Sequence, residues 1–131
     1  MTAHVASCNC GKLTATAHGD PGRISICHCL ACQKRTGSVF GVQARFPESA
    51  VTVEGRSTQF ARTGDDGTTA RFHFCPECGA TVFYRMDAFP GFVAIPVGAF
   101  ADPTFPPPFV SVYGIRKHPW VRLPDSIESL E

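Results

Sequence analysis

The sequence lacks the charge excess that marks a polyanion binder. Lysine and arginine together number 12 against 11 aspartates and glutamates, a net charge of +1, and the pI is about 7.6. A nucleic-acid-binding domain usually shows a basic stripe and a pI above about 9, so nucleic acid is not an expected partner. Long apolar runs are missing too. The longest, Gly91–Ala101, is interrupted by Pro96 and falls well short of the ~18 residues a membrane helix needs. Met1–Ser7 has no basic segment ahead of an apolar core, so a secretory leader is not expected. There is no internal repeat, no charge run and no flexible linker. At 131 residues, against roughly 150 per domain, one domain is expected. These absences together predict a soluble cytoplasmic protein without membrane contact.

What the chain has instead is punctuation and cysteine. Twelve glycines and eleven prolines predict many turns and short elements. Nine segments read as strands: Leu13–Ala17, Arg23–Cys27, Ser38–Phe46, Val51–Glu54, Thr58–Arg62, Thr69–Phe74, Thr81–Arg85, Phe92–Val97 and Phe109–Tyr113. Leu30–Arg35 reads as one helical turn ended by Thr36-Gly37, and Ser126–Leu130 as a frayed terminal turn. The fold class that follows is mainly β with little helix. The eleven phenylalanines are most simply its core, with a phenylalanine wall beside a site as the other reading.

Seven cysteines in a reducing compartment suggest metal, and an odd number argues against a pure disulfide framework. They fall in three clusters: Cys8-Asn9-Cys10-Gly11, Cys27-His28-Cys29-Leu30-Ala31-Cys32, and Cys75-Pro76-Glu77-Cys78-Gly79. The third looks like a zinc knuckle, a tight turn that aims backbone N–H groups at its first sulfur, with Gly79 supplying the positive φ by which the chain leaves. Cys10-Gly11 ends the first cluster the same way. A closed structural zinc takes four ligands, so Cys8, Cys10, Cys75 and Cys78 form a natural tetrahedral set. The alternative is reduced thiols buried in the core.

Cys27, Cys29 and Cys32 then remain, the ligand count of an open zinc site with a fourth position for water or substrate. Alternate residues of an extended segment face opposite ways, so His28 faces away from the metal, behind the ligands or at the surface; the other reading makes it the fourth ligand. A closed second site, completed by His73 or Asp102, is the structural alternative. Gln33 and Lys34 are candidate contacts for a substrate carboxylate, although Lys34 also suits a solvated position. Thr36, Gly37 and Ser38 are candidate substrate contacts whose competing role is to cap and turn the helix. His73 is a candidate acid or base, and Trp120 is either a lid or a packing residue.

These motifs, C-x-C-G near the start, C-H-C-x-x-C-Q-K-x-T-G-S in the middle, F-C-x-x-C-G later and P-W near the C-terminus, resemble the glutathione-dependent formaldehyde-activating enzyme family, which shares its domain with centromere protein V. The resemblance covers about residues 4–124 and leaves 125–131 as a tail. It implies a small β-tent of twisted antiparallel sheets around a zinc ribbon. It implies two zinc ions per chain, a structural one on Cys8, Cys10, Cys75 and Cys78 and a site-forming one on Cys27, Cys29 and Cys32. The implied activity is that of a carbon–sulfur lyase acting on thiol–aldehyde adducts, as with glutathione and formaldehyde. The implied partners are a small-molecule thiol, an aldehyde or both, and the chain is read as a monomer or homodimer. Phe105–Tyr113 departs from the family by carrying proline and phenylalanine in place of a more polar segment, and the basic tail of centromere-type relatives is missing. Two other function classes fit the same cysteines: a zinc-stabilised binding module, and a thiol or aldehyde sensor that releases zinc when its thiolates are modified.

Overall fold

The computed structural model describes residues 2–130. Met1 and Glu131, the latter the last residue of the expected tail, lie outside the described residues. Eleven strands and one short helix are described: β1 (Ala3–Ser7), β2 (Thr14–His18), β3 (Arg23–Cys27), α1 (Leu30–Thr36), β4 (Gly41–Pro47), β5 (Val51–Glu54), β6 (Thr58–Thr63), β7 (Thr69–Phe74), β8 (Thr81–Met86), β9 (Phe92–Pro96), β10 (Val110–Val112) and β11 (Glu128–Leu130). The mainly β expectation holds. Among the described residues, no helix is long and apolar enough to cross a membrane.

The strands form two sheets, a three-stranded one ordered β1-β2-β5 and an eight-stranded one ordered β11-β10-β3-β4-β9-β8-β7-β6. Pairing is antiparallel except at one edge, where β10 runs parallel to both β3 and β11. Glu128–Leu130, expected as a frayed turn within the tail, is therefore a strand whose backbone groups are taken up by β10. Its three exposed residues carry no local pattern that announces it.

The core lies between the two sheets. Ala6, Leu13, Ala15 and Ala17 from the small sheet and its turn meet Ile24, Ala44, Phe46, Val82, Phe83, Val93 and Ile95 from the large one. Small residues on one side let the sheets approach, and large ones on the other fill the gap. Phe46 is fully buried, with the rings of His4 and Phe100 close by. Burying one such side chain contributes about 1.5–3 kcal/mol.

Phenylalanine is mostly not core, which corrects the simpler expectation. Only Phe46, Phe83 and Phe100 of the eleven are buried, whereas Phe60, Phe72, Phe74, Phe89 and Phe92 line a cleft on the large sheet's other face. Strand periodicity separates two faces but does not say which one another layer covers.

The turn after β5 depends on Gly55. Its φ is +98°, and a Cβ there would collide with the carbonyl of Lys12. Gly55→Ala is expected to destabilise by about 3 kcal/mol or more, because left-handed strain adds to a backbone clash. Urea unfolding monitored by circular dichroism checks this; an unchanged midpoint would show that the turn can shift freely.

Candidate metal centres and the cleft

The first centre forms where two turns meet. Cys8 and Cys10 follow β1, and Cys75 and Cys78 occupy the turn between β7 and β8. Each turn feeds an N–H to its first sulfur, from Leu13 to Cys8 Sγ at 3.3 Å and from Glu77 to Cys75 Sγ at 3.4 Å. The backbone N–H of Ala80, then that of Cys10, draws the Cys78 thiol down to about 6. All four sulfurs lie within 4.8 Å of one another. Cys10 Sγ is 3.7 Å from that of Cys8 and 3.6 Å from that of Cys75. A tetrahedral ion about 2.3 Å from each sulfur needs them about 3.8 Å apart, so the quartet fits a metal. Lys12 and Glu77 add an ion pair between the same turns at 2.8 Å. It is exposed, and such pairs contribute about 0–1 kcal/mol.

The second cluster sits where β3 runs into α1. Cys27 ends the strand, Cys29 caps the helix and Cys32 lies in its first turn. Cys29 Sγ accepts from the Cys32 N–H at 3.3 Å, a cap that also fixes the sulfur's direction. The helix ends at Gly37, left-handed at φ 73°, whose N–H donates to the Gln33 carbonyl at 2.9 Å. The three sulfurs lie within 4.8 Å of one another and fit a metal. Hydrogen bonds from the Cys27 and then the Cys32 thiol draw Cys29 down to about 2. Arg35 brings Nη2 to 4.0 Å from Cys32 Sγ. Gly41 leaves room for that approach, since a Cβ there would stand 3.2 Å from Arg35 Nη2 and 3.6 Å from Cys32 Cβ.

All three cysteines of the second cluster open on one cleft of about 1030 Å³. Its floor is a face of the large sheet. The sheet curls until Gly64–Asp66, in the turn after β6, and Tyr113, Ile115 and Arg116, after β10, line the same space. Arg35 lies over the rings of Phe72 and Tyr84, at 5.0 and 5.3 Å from their centroids.

The other predicted residues separate clearly. His28 does face away from the sulfurs, but it is buried rather than at the surface: Nε2 is 3.2 Å from Ser111 Oγ, and Phe40 lies edge-on to the ring. Gln33 is a staple. Its amide donates to the carbonyls of His28 at 2.9 Å and Arg116 at 3.3 Å, and its Oε1 lies 3.0 Å from His118 Nε2. Lys34 lines the cleft. Thr36 Oγ1 donates to the Cys32 carbonyl at 2.9 Å and accepts from Ser38 N–H at 3.1 Å, so Thr36, Gly37 and Ser38 cap and turn the helix. His73 stacks on Phe83 with ring centroids 4.4 Å apart, with Nδ1 2.9 Å from Ser57 Oγ, and does not join the trio. Burial, then Arg85, lowers its pKa. Asp102 accepts from Thr104 at 2.7 Å and is likewise apart from the trio. Trp120 is 66% exposed, with its ring edge-on to His118.

The sequence reading missed Arg23, Arg35, Gln43 and Arg45, which all line the cleft. For Arg23, Gln43 and Arg45 the signal was phase. Arg23 and Ser25 share the face of Cys27 at even spacing, and Gln43 and Arg45 are their direct partners on β4.

A family model described as "Glutathione-dependent formaldehyde-activating enzyme" matches residues 3–115. Two curated relatives carry the name "Putative glutathione-dependent formaldehyde-activating enzyme". The one from Penicillium rubens is 26% identical over 82 residues, covering 61% of this chain and 42% of the relative. The one from Emericella nidulans is 29% identical over 82 residues, covering 61% and 41%. The chain thus spans about two-fifths of the length of these relatives. The crystal structure of a Rhodobacter sphaeroides protein superposes with a TM-score of 0.60 at 20% identity, covering 79% of this chain and 91% of that one, and so shares the fold.

Proposed function

The chain belongs to the glutathione-dependent formaldehyde-activating enzyme family, and from that premise we propose that it joins and parts a thiol and an aldehyde at the Cys27–Cys29–Cys32 trio. The carrying observation is the trio itself: three sulfurs close enough to share a metal, all opening on one cleft. The quartet of Cys8, Cys10, Cys75 and Cys78 is assigned a structural zinc, which would leave the trio as the reactive centre. All-sulfur ligand sets of three and four favour zinc, and Cys27, Cys29 and Cys32 would hold it with three ligands, fewer than the four of a closed structural site. Zinc bound there supplies the positive charge that lets a substrate thiol lose its proton near neutral pH.

The chain's own groups do the rest. The Arg35 guanidinium beside Cys32 offsets the negative charge of three thiolates. The rings of Phe72 and Tyr84 lie under the Arg35 guanidinium and hold it in place. Tyr113 lines the same cleft, and partial loss of solvent raises its pKa; it is the proposed donor to a carbonyl oxygen. The addition balances without any oxidant. The thiol sulfur bonds to the carbonyl carbon, the carbonyl π bond opens, and the thiol proton ends on the oxygen, giving a hemithioacetal. The reverse breaks the carbon–sulfur bond, which is the lyase direction.

Elemental analysis of the purified chain is expected to give two zinc ions. Exchange NMR with glutathione and labelled formaldehyde is expected to show adduct formation and breakdown at least about tenfold faster than in buffer. One zinc per chain after zinc add-back, or exchange no faster than buffer with a range of thiols and aldehydes, would overturn the reading.

A further inference from the structure

The cleft holds more positive charge than its carboxylates balance. With Arg35 set against the cysteine trio, Arg23, Lys34, Arg45, Arg62 and Arg116 line it against Asp65 and Asp66. The ion pairs found among the described residues join Lys12 to Glu77, Arg71 to Asp87 and Arg85 to Glu48, and none uses a cation of the cleft.

Arg23 and Arg45 sharpen the imbalance. They are direct cross-strand partners on β3 and β4. Like charges placed opposite one another destabilise a sheet, so the chain alone gives no reason to keep both. Arg23 Nε is buried and has no hydrogen-bond partner among the described residues. Next along the strands, Gln43 Nε2 donates to Ser25 Oγ at 2.6 Å, which leaves Gln43 Oε1 buried and unpartnered as well. The Arg45 guanidinium carbon lies over the ring of Phe89, 3.9 Å from its centroid. Burial, and then Arg23, lowers the Arg45 pKa. Two guanidinium forks on one apolar floor match a planar oxyanion. Phe89, Phe92, Met86 and Ala94 around them match an organic body attached to it.

We propose that Arg23 and Arg45 form a subsite for a carboxylate carried by the substrate, and so set specificity for an extended carboxylate-bearing molecule. Arg23 and Cys27 are four residues apart on β3, about 13 Å between their Cα atoms. A molecule that reaches both ends is longer than a bare small thiol or aldehyde. Gln43 Oε1 is placed to accept from a donor next to that carboxylate. The inference rests on the thiol–aldehyde reading only for which end of the substrate meets the trio.

Calorimetric titration of the zinc-loaded chain tests it with 6-mercaptohexanoate, 6-mercaptohexanol, hexanoate and inorganic phosphate. The acid is expected to bind at least about tenfold tighter than the alcohol. Arg23→Gln and Arg45→Gln are each expected to erase that preference, and Arg71→Gln, outside the cleft, to keep it. Hexanoate, which has no thiol, is expected to show the same dependence on Arg23, so the subsite is judged separately from carbon–sulfur chemistry. The unliganded Arg23→Gln chain is expected to melt no lower than the parent, since like-charge repulsion is relieved. Should it melt lower, Arg45→Gln carries the same comparison. Equal binding of acid and alcohol, or a preference that survives both arginine variants, overturns the proposal. Phosphate that binds as tightly as hexanoate and displaces it overturns the substrate carboxylate in favour of a free-anion site.

Discussion

Replacing Cys75 by serine is expected to leave the chain unfolded at 37 °C. Cys75 is 1% exposed and sits where the β7–β8 turn meets the turn after β1. Its sulfur is 3.6 Å from that of Cys10, 65 residues away in sequence. A metal held across that gap closes a long loop, and loop closure alone is worth about 4 kcal/mol. Structural zinc in small peptides contributes about 10–16 kcal/mol. A whole domain is stable by only about 5–15 kcal/mol, so losing even the loop-closure part removes a large share. At the lower figure the melting temperature falls by about 15 °C. Cys10→Ser gives the same direction at an exposed position, where no hydroxyl is newly buried. Thermal melts with metal analysis of both variants check this. If both melt with the parent and keep its metal content, the quartet does not hold the fold together.

How much of this was legible in the sequence depends on how local each feature is. β3, β5 and β7 coincide with their predicted ranges, because alternation and flanking turns mark them. α1 was legible from its end: Thr36-Gly37 stops it, and Gly37 is left-handed. β1 was missed, since Ala3–Ser7 carries one β-branched residue, Val5, and that one is exposed. β11 was missed because its pairing with β10 is parallel and joins segments far apart in sequence. The quartet and the trio were legible as spacings, since each cysteine pair lies on one turn. The cleft was not. That it lies over Phe60, Phe72 and Phe74 depends on how the large sheet curls, which no short window contains. The arginines were readable only once the face of Cys27 was known to be the floor of the cleft.

Cys29→Ala is expected to do the opposite of Cys75→Ser: the fold survives and the chemistry goes. Cys29 is partly exposed, outside the hydrophobic core, at the mouth of a seven-residue helix. Losing its sulfur removes the cap to the Cys32 N–H, which costs about 1 kcal/mol and a few degrees of melting temperature. The quartet is untouched and is expected to keep the metal assigned to it. The trio drops to two sulfurs, too few to hold zinc against competing chelators. Metal content is therefore expected to fall from two ions to one, and thiol–aldehyde exchange to fall to the rate in buffer. The two variants together separate the centres, one by loss of the fold and the other by loss of the chemistry at a nearly unchanged melting temperature. If Cys29→Ala keeps both metals and full exchange, the trio is not the reactive centre. If it unfolds like Cys75→Ser, the trio is a second structural clasp, and the family's chemistry in this chain has to be sought elsewhere.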